Sequence, residues 1–234
     1  DRLIQIEAAW KRMQSVRSFE TMKCENPIGK RPSDHLEEII GNPCEPWQVR
    51  GAIFALGRLL DSSMNGLEWS SGSSTRFYLL YVKSLFTIEH DGQYFDEVNA
   101  SLRGMMAKMG LADQALTYKL IPPSKPYSDA DGGDGTLEEF EDYVHAKLSR
   151  DSYDLISVDG RARVPCLRRA LKLIQPQNGI ILLDNSDRFP EAHRMVPSHW
   201  TKVNFSSDVV DSKTSTWSTT IWCSRKQQET EAST

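Results

Sequence analysis

The feature that most constrains this chain is a rhythm running from Asn65 to Leu183. Short apolar runs, NGLEW (65–69), LFTIE (85–89), ALTYKLI (115–121), YDLISV (153–158) and GIILL (179–183), alternate with helical spacing near 74–83, 93–109, 137–149 and 163–175. A helix between two strands carries the chain back across the sheet, so successive strands come out parallel and both faces are covered by helices. After Asn185 the rhythm breaks. Two β-rich runs, WTKVNFS (200–206) and TWSTTIWC (216–223), follow with no long helix between them and read as an antiparallel hairpin closing the sheet.

The N-terminal part is different. Leu3, Ile6, Trp10, Met13 and Val16 recur at three- and four-residue spacing, which predicts an amphipathic helix over 1–20. It could cap the core, cover the active site or pair with another subunit in a homodimer. Residues 21–45 read as irregular, with prolines at 27, 32 and 43; Pro46 then opens a second helix through Leu60. The division expected is a helical extension over 1–60, an α/β domain over 61–225 and a polar, disordered tail over 226–234.

Composition sets the outer bounds. At 234 residues and 39% hydrophobic, the chain can bury one substantial core. A net charge of −4 with both signs interspersed leaves no basic stripe for nucleic acid, and the partner expected is a small molecule or glycan. No apolar run approaches the roughly 18 residues of a bilayer span. No signal peptide is visible and the sequence opens at Asp1, so a soluble domain in the cytoplasm or in the secretory lumen fits equally. Cys24 and Cys44 lie in Pro/Asn-rich segments where a disulfide would suit the lumen; Cys166 and Cys223 read as buried small hydrophobes.

In a doubly wound sheet, ligands bind at the carboxyl ends of the strands near the switch in strand order. Polar residues gather there: Glu68 to Thr75 after the first strand, Glu89-His90-Asp91 after the second, Asp159-Gly160-Arg161 after the fourth, and Asp184-Asn185 after the fifth. Helix capping and turn formation account for one or two such acids, not four. The first loop, EWSSGSST, lacks the glycine spacing with which a dinucleotide loop approaches a pyrophosphate, which disfavours a nicotinamide oxidoreductase. A single close-approach glycine among hydroxyls suits an uncharged nucleoside with an amino-acid tail, whose carboxylate can meet the helix N-terminus. Glu89, about 20 residues on, is placed to accept hydrogen bonds from both ribose hydroxyls.

On LEWSSGSST, FTIEHD, YDLISVDGRAR and GIILLDNSDR, the chain resembles the class I S-adenosylmethionine-dependent methyltransferases over about 65–223. That resemblance implies a Rossmann-like, seven-stranded, mostly parallel sheet with an antiparallel last strand, helices on both faces and, here, an N-terminal helical extension. It implies S-adenosyl-L-methionine as cofactor, with Glu68, Ser70, Gly72 and Ser73 along its methionine side, Glu89 on its ribose and His90 bordering the adenine. Serines stand where the family usually has glycines. The activity implied is methyl transfer, most simply to an oxygen; a SAM-binding scaffold without catalysis is the alternative that the serine-rich loop suggests.

Asp159, Asp184 and Asn185 are similar to the Asp and Asp-Asn of metal-dependent catechol-type O-methyltransferases, which implies three oxygen ligands for Mg²⁺ or another divalent cation. Those enzymes usually carry a lysine shortly after the first Asp, whereas DGRAR offers Arg161 and Arg163. Arginine does not readily deprotonate. The candidate bases are therefore Asp159, His193 and His199, and Arg161, Arg163 and Arg188 would form an electropositive rim for the substrate. The stretch DADGGDGTLEEFEDYV (129–144) imitates a Ca²⁺ loop, but position five is Gly133 and the required glycine falls on Asp134, so it reads as an acidic loop opening the next helix.

Overall fold

The computed structural model describes residues 2–14, 46–128, 133–206 and 217–225. Cys24, Cys44, the far end of the first expected helix and the tail 226–234 lie outside the described residues. Seven strands, β1 (Asn65–Trp69), β2 (Ser84–Glu89), β3 (Leu116–Leu120), β4 (Leu155–Val158), β5 (Ile180–Leu183), β6 (Thr201–Ser206) and β7 (Ser218–Cys223), form one sheet in the order β3-β2-β1-β4-β5-β7-β6. The first five are mutually parallel. The last strand, β7, inserts between β5 and β6 and is antiparallel to both. All seven expected strands are present, and the antiparallel strand is the last one.

Helices cover both faces, which is why β1, β4 and β5 read as continuous apolar runs rather than alternating ones. One face carries α1 (Arg2–Gln14), α2 (Arg50–Leu59), α3 (Ser73–Tyr81) and α4 (Gly92–Met109), packed on Leu85, Leu116, Leu155 and Leu182. The other carries α5 (Glu141–Val144), α6 (Arg163–Leu173) and α7 (Pro190–Met195), packed on Leu67, Trp69, Ile156 and Leu183. Alternate residues of each strand feed the two cores. Leu3 and Ile6 of α1 are buried in the first core, so this part of the extension packs within the chain. Among the described residues, no helix is long and apolar enough to cross a membrane.

Two helices are shorter than their spacing predicts. The helix expected from Pro46 starts at Arg50, because Val49 is extended and donates its N–H to Thr219 Oγ1 at 3.2 Å, while Gln48 turns inward onto Tyr78. The helix expected over 137–149 shrinks to Glu141–Val144. The carbonyls of Ala146 and Lys147, which a continuing helix would use itself, accept from Arg169 and Lys119 instead.

Candidate functional site

The order of the strands reverses between β1 and β4, where connections leave in opposite directions and open a crevice at the carboxyl ends. Positive-φ backbone gathers at the same edge. Of the four non-glycine residues with positive φ among those described, Ser70, Ala162 and Asn185 follow β1, β4 and β5. Such conformations cost roughly 1–3 kcal/mol each and persist where the surroundings enforce them.

A polar row crosses the sheet just below this edge. Glu68 of β1 is in register with Thr87 of β2 and Ser157 of β4, all fully buried. Glu68 accepts from Ser74 Oγ at 2.6 Å, Thr75 Oγ1 at 2.8 Å and Thr87 Oγ1 at 3.1 Å. Burial pushes its carboxyl up to about 7, only partly offset by these three hydroxyls. Glu68 thus ties α3 to the sheet and holds the first loop in place, with both oxygens engaged by the protein rather than turned to the methionine side of a cofactor.

The loop itself reads Ser70-Ser71-Gly72. Thr75 Oγ1 accepts from Gly72 N–H at 2.9 Å, and Ser70 N–H donates to Ile88 O at 3.0 Å. Gly72 has φ +140°, and a Cβ built there would stand 2.6 Å from the Tyr94 hydroxyl. The backbone conformation is what favours glycine here, since L side chains rarely adopt that φ, while the Tyr94 hydroxyl lies at the end of a side chain that can shift. Ser73 starts α3 and is partly exposed beside it.

Glu89 ends β2, almost fully buried. Its Oε1 accepts from the N–H groups of His90 at 2.8 Å and Asp91 at 3.0 Å and stands 2.9 Å from His90 Nδ1. Its Oε2 accepts from Ser71 Oγ at 2.5 Å, and Ser71 in turn accepts from the Tyr118 hydroxyl. Burial raises the carboxyl's pKa, but the bonds from His90, Asp91 and Ser71 outweigh it and hold Glu89 below the usual range. An anionic carboxylate with one hydroxyl on Oε2 is what a ribose diol, exchanging with Ser71, would meet. The His90 ring packs edge-on against Tyr127, Phe140 and Tyr143 at 5.7–6.1 Å, at the rim of an aromatic cluster.

Across the switch point, Asp159 N–H donates to Trp69 O at 3.1 Å and Asp184 N–H to Val158 O at 3.1 Å, so both carboxyls start from the same edge. Gly160 follows because a Cβ there would lie 2.2 Å from the Tyr143 hydroxyl. Burial, then mutual repulsion with Asp184, raises the Asp159 carboxyl well above the ordinary range; burial raises Asp184 as well. Asp184 Oδ1 accepts from Thr219 Oγ1 of β7, and Gln48 Nε2 donates to the Tyr78 hydroxyl at 3.0 Å.

The expected electropositive rim is only partly there. Arg188 is exposed and Arg161 partly so, with Arg161 at 3.4 Å from Gly133 O. Arg163 is buried. Its guanidinium reaches Asn185 Oδ1 at 2.7 Å, Asp159 O at 2.8 Å and Asp159 Oδ1 at 3.3 Å, so it braces the acids instead of greeting a substrate. The metal site expected at Asp159, Asp184 and Asn185 does not fit this arrangement. Asp159 and Asn185 each turn one oxygen to the guanidinium and Asp184 one to Thr219, so an ion there would have to compete with Arg163 for its ligands.

The two candidate histidines part ways. His199 precedes β6 at Thr201, which pairs with Cys223, itself opposite Ile180 at the start of β5; that is the opposite edge of the sheet. His199 Nε2 is bonded to Arg225 O at 2.9 Å there. His193 Nε2 lies 3.1 Å from the carbonyl of Ser186, which follows Asn185, with its ring 5.5 Å from Trp222, and burial lowers its pKa. Asp159 directly follows β4 at the strand ends.

Four site residues escaped the sequence reading: Gln48, Tyr94, Asp134 and Thr219. Asp134 accepts from Arg163 N–H at 2.6 Å, and its carbonyl accepts from Ala162 N–H at 2.6 Å, so it sets the start of α6. The pseudo-Ca²⁺ loop thus supplies a helix-capping acid, a role that the Gly-Asp-Gly turn (133–135) could have suggested.

No protein-family model matches the chain, and no curated protein matches it. Solved structures do. A Klebsiella pneumoniae structure described as an O-methyltransferase is similar with a TM-score of 0.53 at 16% identity, over 96% of this chain and 100% of that one. An rRNA methylase from Streptococcus thermophilus is similar with a TM-score of 0.50 at 10% identity, over 73% of this chain and 91% of that one. At such identities the likeness is one of architecture, and it extends through the antiparallel seventh strand and the N-terminal helices. The chain has the Rossmann-like fold of the class I methyltransferases.

Proposed function

We propose that this protein is an S-adenosylmethionine-dependent methyltransferase that methylates a hydroxyl of a small molecule or glycan. The observation that carries the reading is Glu89: an anionic, nearly buried carboxylate at the end of β2, beside a loop whose one glycine holds a positive φ that L side chains rarely adopt. Glu89 would hold the ribose, and the backbone of Ser70 to Ser73 with the N-terminus of α3 would hold the amino-acid tail. Bound there, the cofactor supplies an electrophilic methyl group on a sulfonium.

Asp159 supplies the other half. An acceptor oxygen attacks the methyl carbon in line, the carbon–sulfur electron pair goes to sulfur to leave a neutral thioether, and the hydroxyl proton passes to a base. Asp159 fits that role because it stands at the switch point, where burial and the neighbouring Asp184 raise its proton affinity. Transfer of labelled methyl from S-adenosylmethionine to an acceptor pool tests the reading. Asp159→Asn is expected to lower kcat by about 10²–10⁴-fold while leaving S-adenosylhomocysteine affinity within a few-fold. Full turnover by a folded Asp159→Asn protein would rule out its role as the base.

A scaffold without catalysis is the second reading. It is favoured by Ser71 and Tyr94, which occupy Glu89 and the space above Gly72. Label transfer to any acceptor would exclude it.

A further inference from the structure

Arg163 sits against Asp159, Asp184 and Asn185, the residues that the resemblance to metal-dependent O-methyltransferases would give to an ion. It is the first residue of α6, its side chain is 8% exposed, and each of its five N–H donors finds an acceptor at the strand ends. Nε donates to Gly160 O at 3.0 Å, Nη1 to Asn185 Oδ1 at 2.7 Å and Asp184 O at 3.3 Å, and Nη2 to Asp159 O at 2.8 Å and Asp159 Oδ1 at 3.3 Å. The guanidinium bridges the ends of β4 and β5 and leaves no donor over.

A second, independent feature shows that the placement is built. Ala162, just before Arg163, is held at φ +48°, where a residue with a Cβ is strained. Asp134 holds it there: its carbonyl accepts from Ala162 N–H and its Oδ2 from Arg163 N–H, both at 2.6 Å, and its Oδ1 lies 3.8 Å from Arg163 Nε. The loop carrying Asp134 therefore fixes both the backbone and the charge of Arg163.

We infer that Arg163 is a built-in cation that replaces the divalent ion, so that this site excludes metal. The chemical consequence, which rests on the methyltransferase reading above, concerns the acceptor. A divalent ion binds a hydroxyl directly and lowers its pKa, and it favours acceptors with two adjacent oxygens that can chelate. A guanidinium whose N–H groups are all engaged offers no open position and no proton to give up. It stabilises the negative charge of Asp159 and Asp184 and leaves the proton transfer to a carboxylate. The acceptor then needs only one hydroxyl, with no neighbouring oxygen to complete a chelate.

Titration with Mn²⁺, followed by the loss of the free-ion EPR signal, tests this, with S-adenosylhomocysteine binding measured on the same samples. Wild-type protein is expected to bind no Mn²⁺ at millimolar concentration. Arg163→Ala, shown to be folded by circular dichroism, is expected to bind one Mn²⁺ at least tenfold more tightly than wild type. Adding Asp184→Asn to that variant should abolish the gain. Wild-type binding that Asp184→Asn removes would overturn the inference, as would a folded Arg163→Ala no tighter than wild type. If Arg163→Ala does not fold, Arg163→Met, which keeps the stem's volume, is held to the same criteria, and the wild-type titration decides on its own. Failure to bind S-adenosylhomocysteine would overturn the cofactor reading while leaving the metal result to stand.

Discussion

Glu68 and Arg163 show how neighbours from other elements decide what a charged strand-end residue does. Both were legible as strand-end polar groups. Neither could be assigned a direction, because their partners come from elsewhere in the chain: Thr87 and α3 for Glu68, and Asp134, 29 residues earlier, for Arg163. Glu89 was legible as a candidate because it ends the second strand about 20 residues after the first loop, a spacing that sequence alone displays. Gln48 was not, since nothing in PWQV signals that one side chain will turn inward onto Tyr78.

Burial of Glu68 makes a prediction about stability. Burial pushes its carboxyl from an ordinary 4.5 up to about 7 in the folded state. Between these values the folded state keeps a proton that the unfolded state releases, so stability falls as pH rises through that window and levels off above it. The loss amounts to about 3 kcal/mol, since each pKa unit is worth about 1.4 kcal/mol. Glu68→Gln keeps a side chain of the same shape among hydroxyls that can reorient. Urea melts at pH 5 and pH 8 are expected to show wild type losing stability across the interval, with the variant flatter and more stable at pH 8. Parallel pH dependence in the two proteins would refute the assignment.

At the scale of elements, strands were more legible than helices. Each strand is a short apolar run bounded by polar residues, and in a sheet covered on both sides that pattern has few rival readings. Helical spacing is easier to imitate. Phe140, Tyr143, Val144 and Ala146 recur as a helix face would, but they are buried in the second core while Arg169 and Lys119 take the backbone carbonyls that would extend α5. Its end is decided by tertiary partners. For α1 the spacing was a sound guide, and what it left open was the surface on which Leu3 and Ile6 would pack. They pack on α2 and β6 of the same chain. Leu3→Ala, at 1% exposure, should therefore cost about 2–5 kcal/mol of unfolding free energy in a denaturant melt. A loss under about 0.5 kcal/mol would mean that α1 is dispensable to the core.

At the scale of the whole molecule, topology followed from the order of elements. Alternating strands and helices give parallel strands, β6 included, and the absence of helical spacing between the last two β-rich runs gives the antiparallel β7. The crevice at the switch point follows in turn, and the acids were found there because that edge is where loops, not packing, choose the residues. Sequence alone did not show that these acids form two groups: Glu68 and Glu89 around the first loop, and Asp159 and Asp184 around Arg163. The first group is the proposed cofactor side and the second the acceptor side. Calorimetric titration with S-adenosylhomocysteine tests the division most directly. One site per chain with submillimolar or tighter affinity is expected, weakened about 10–100-fold in Glu89→Ala, as loss of a charge-assisted pair of hydrogen bonds implies. No binding at millimolar ligand by the folded protein, or equal binding by Glu89→Ala, would contradict it.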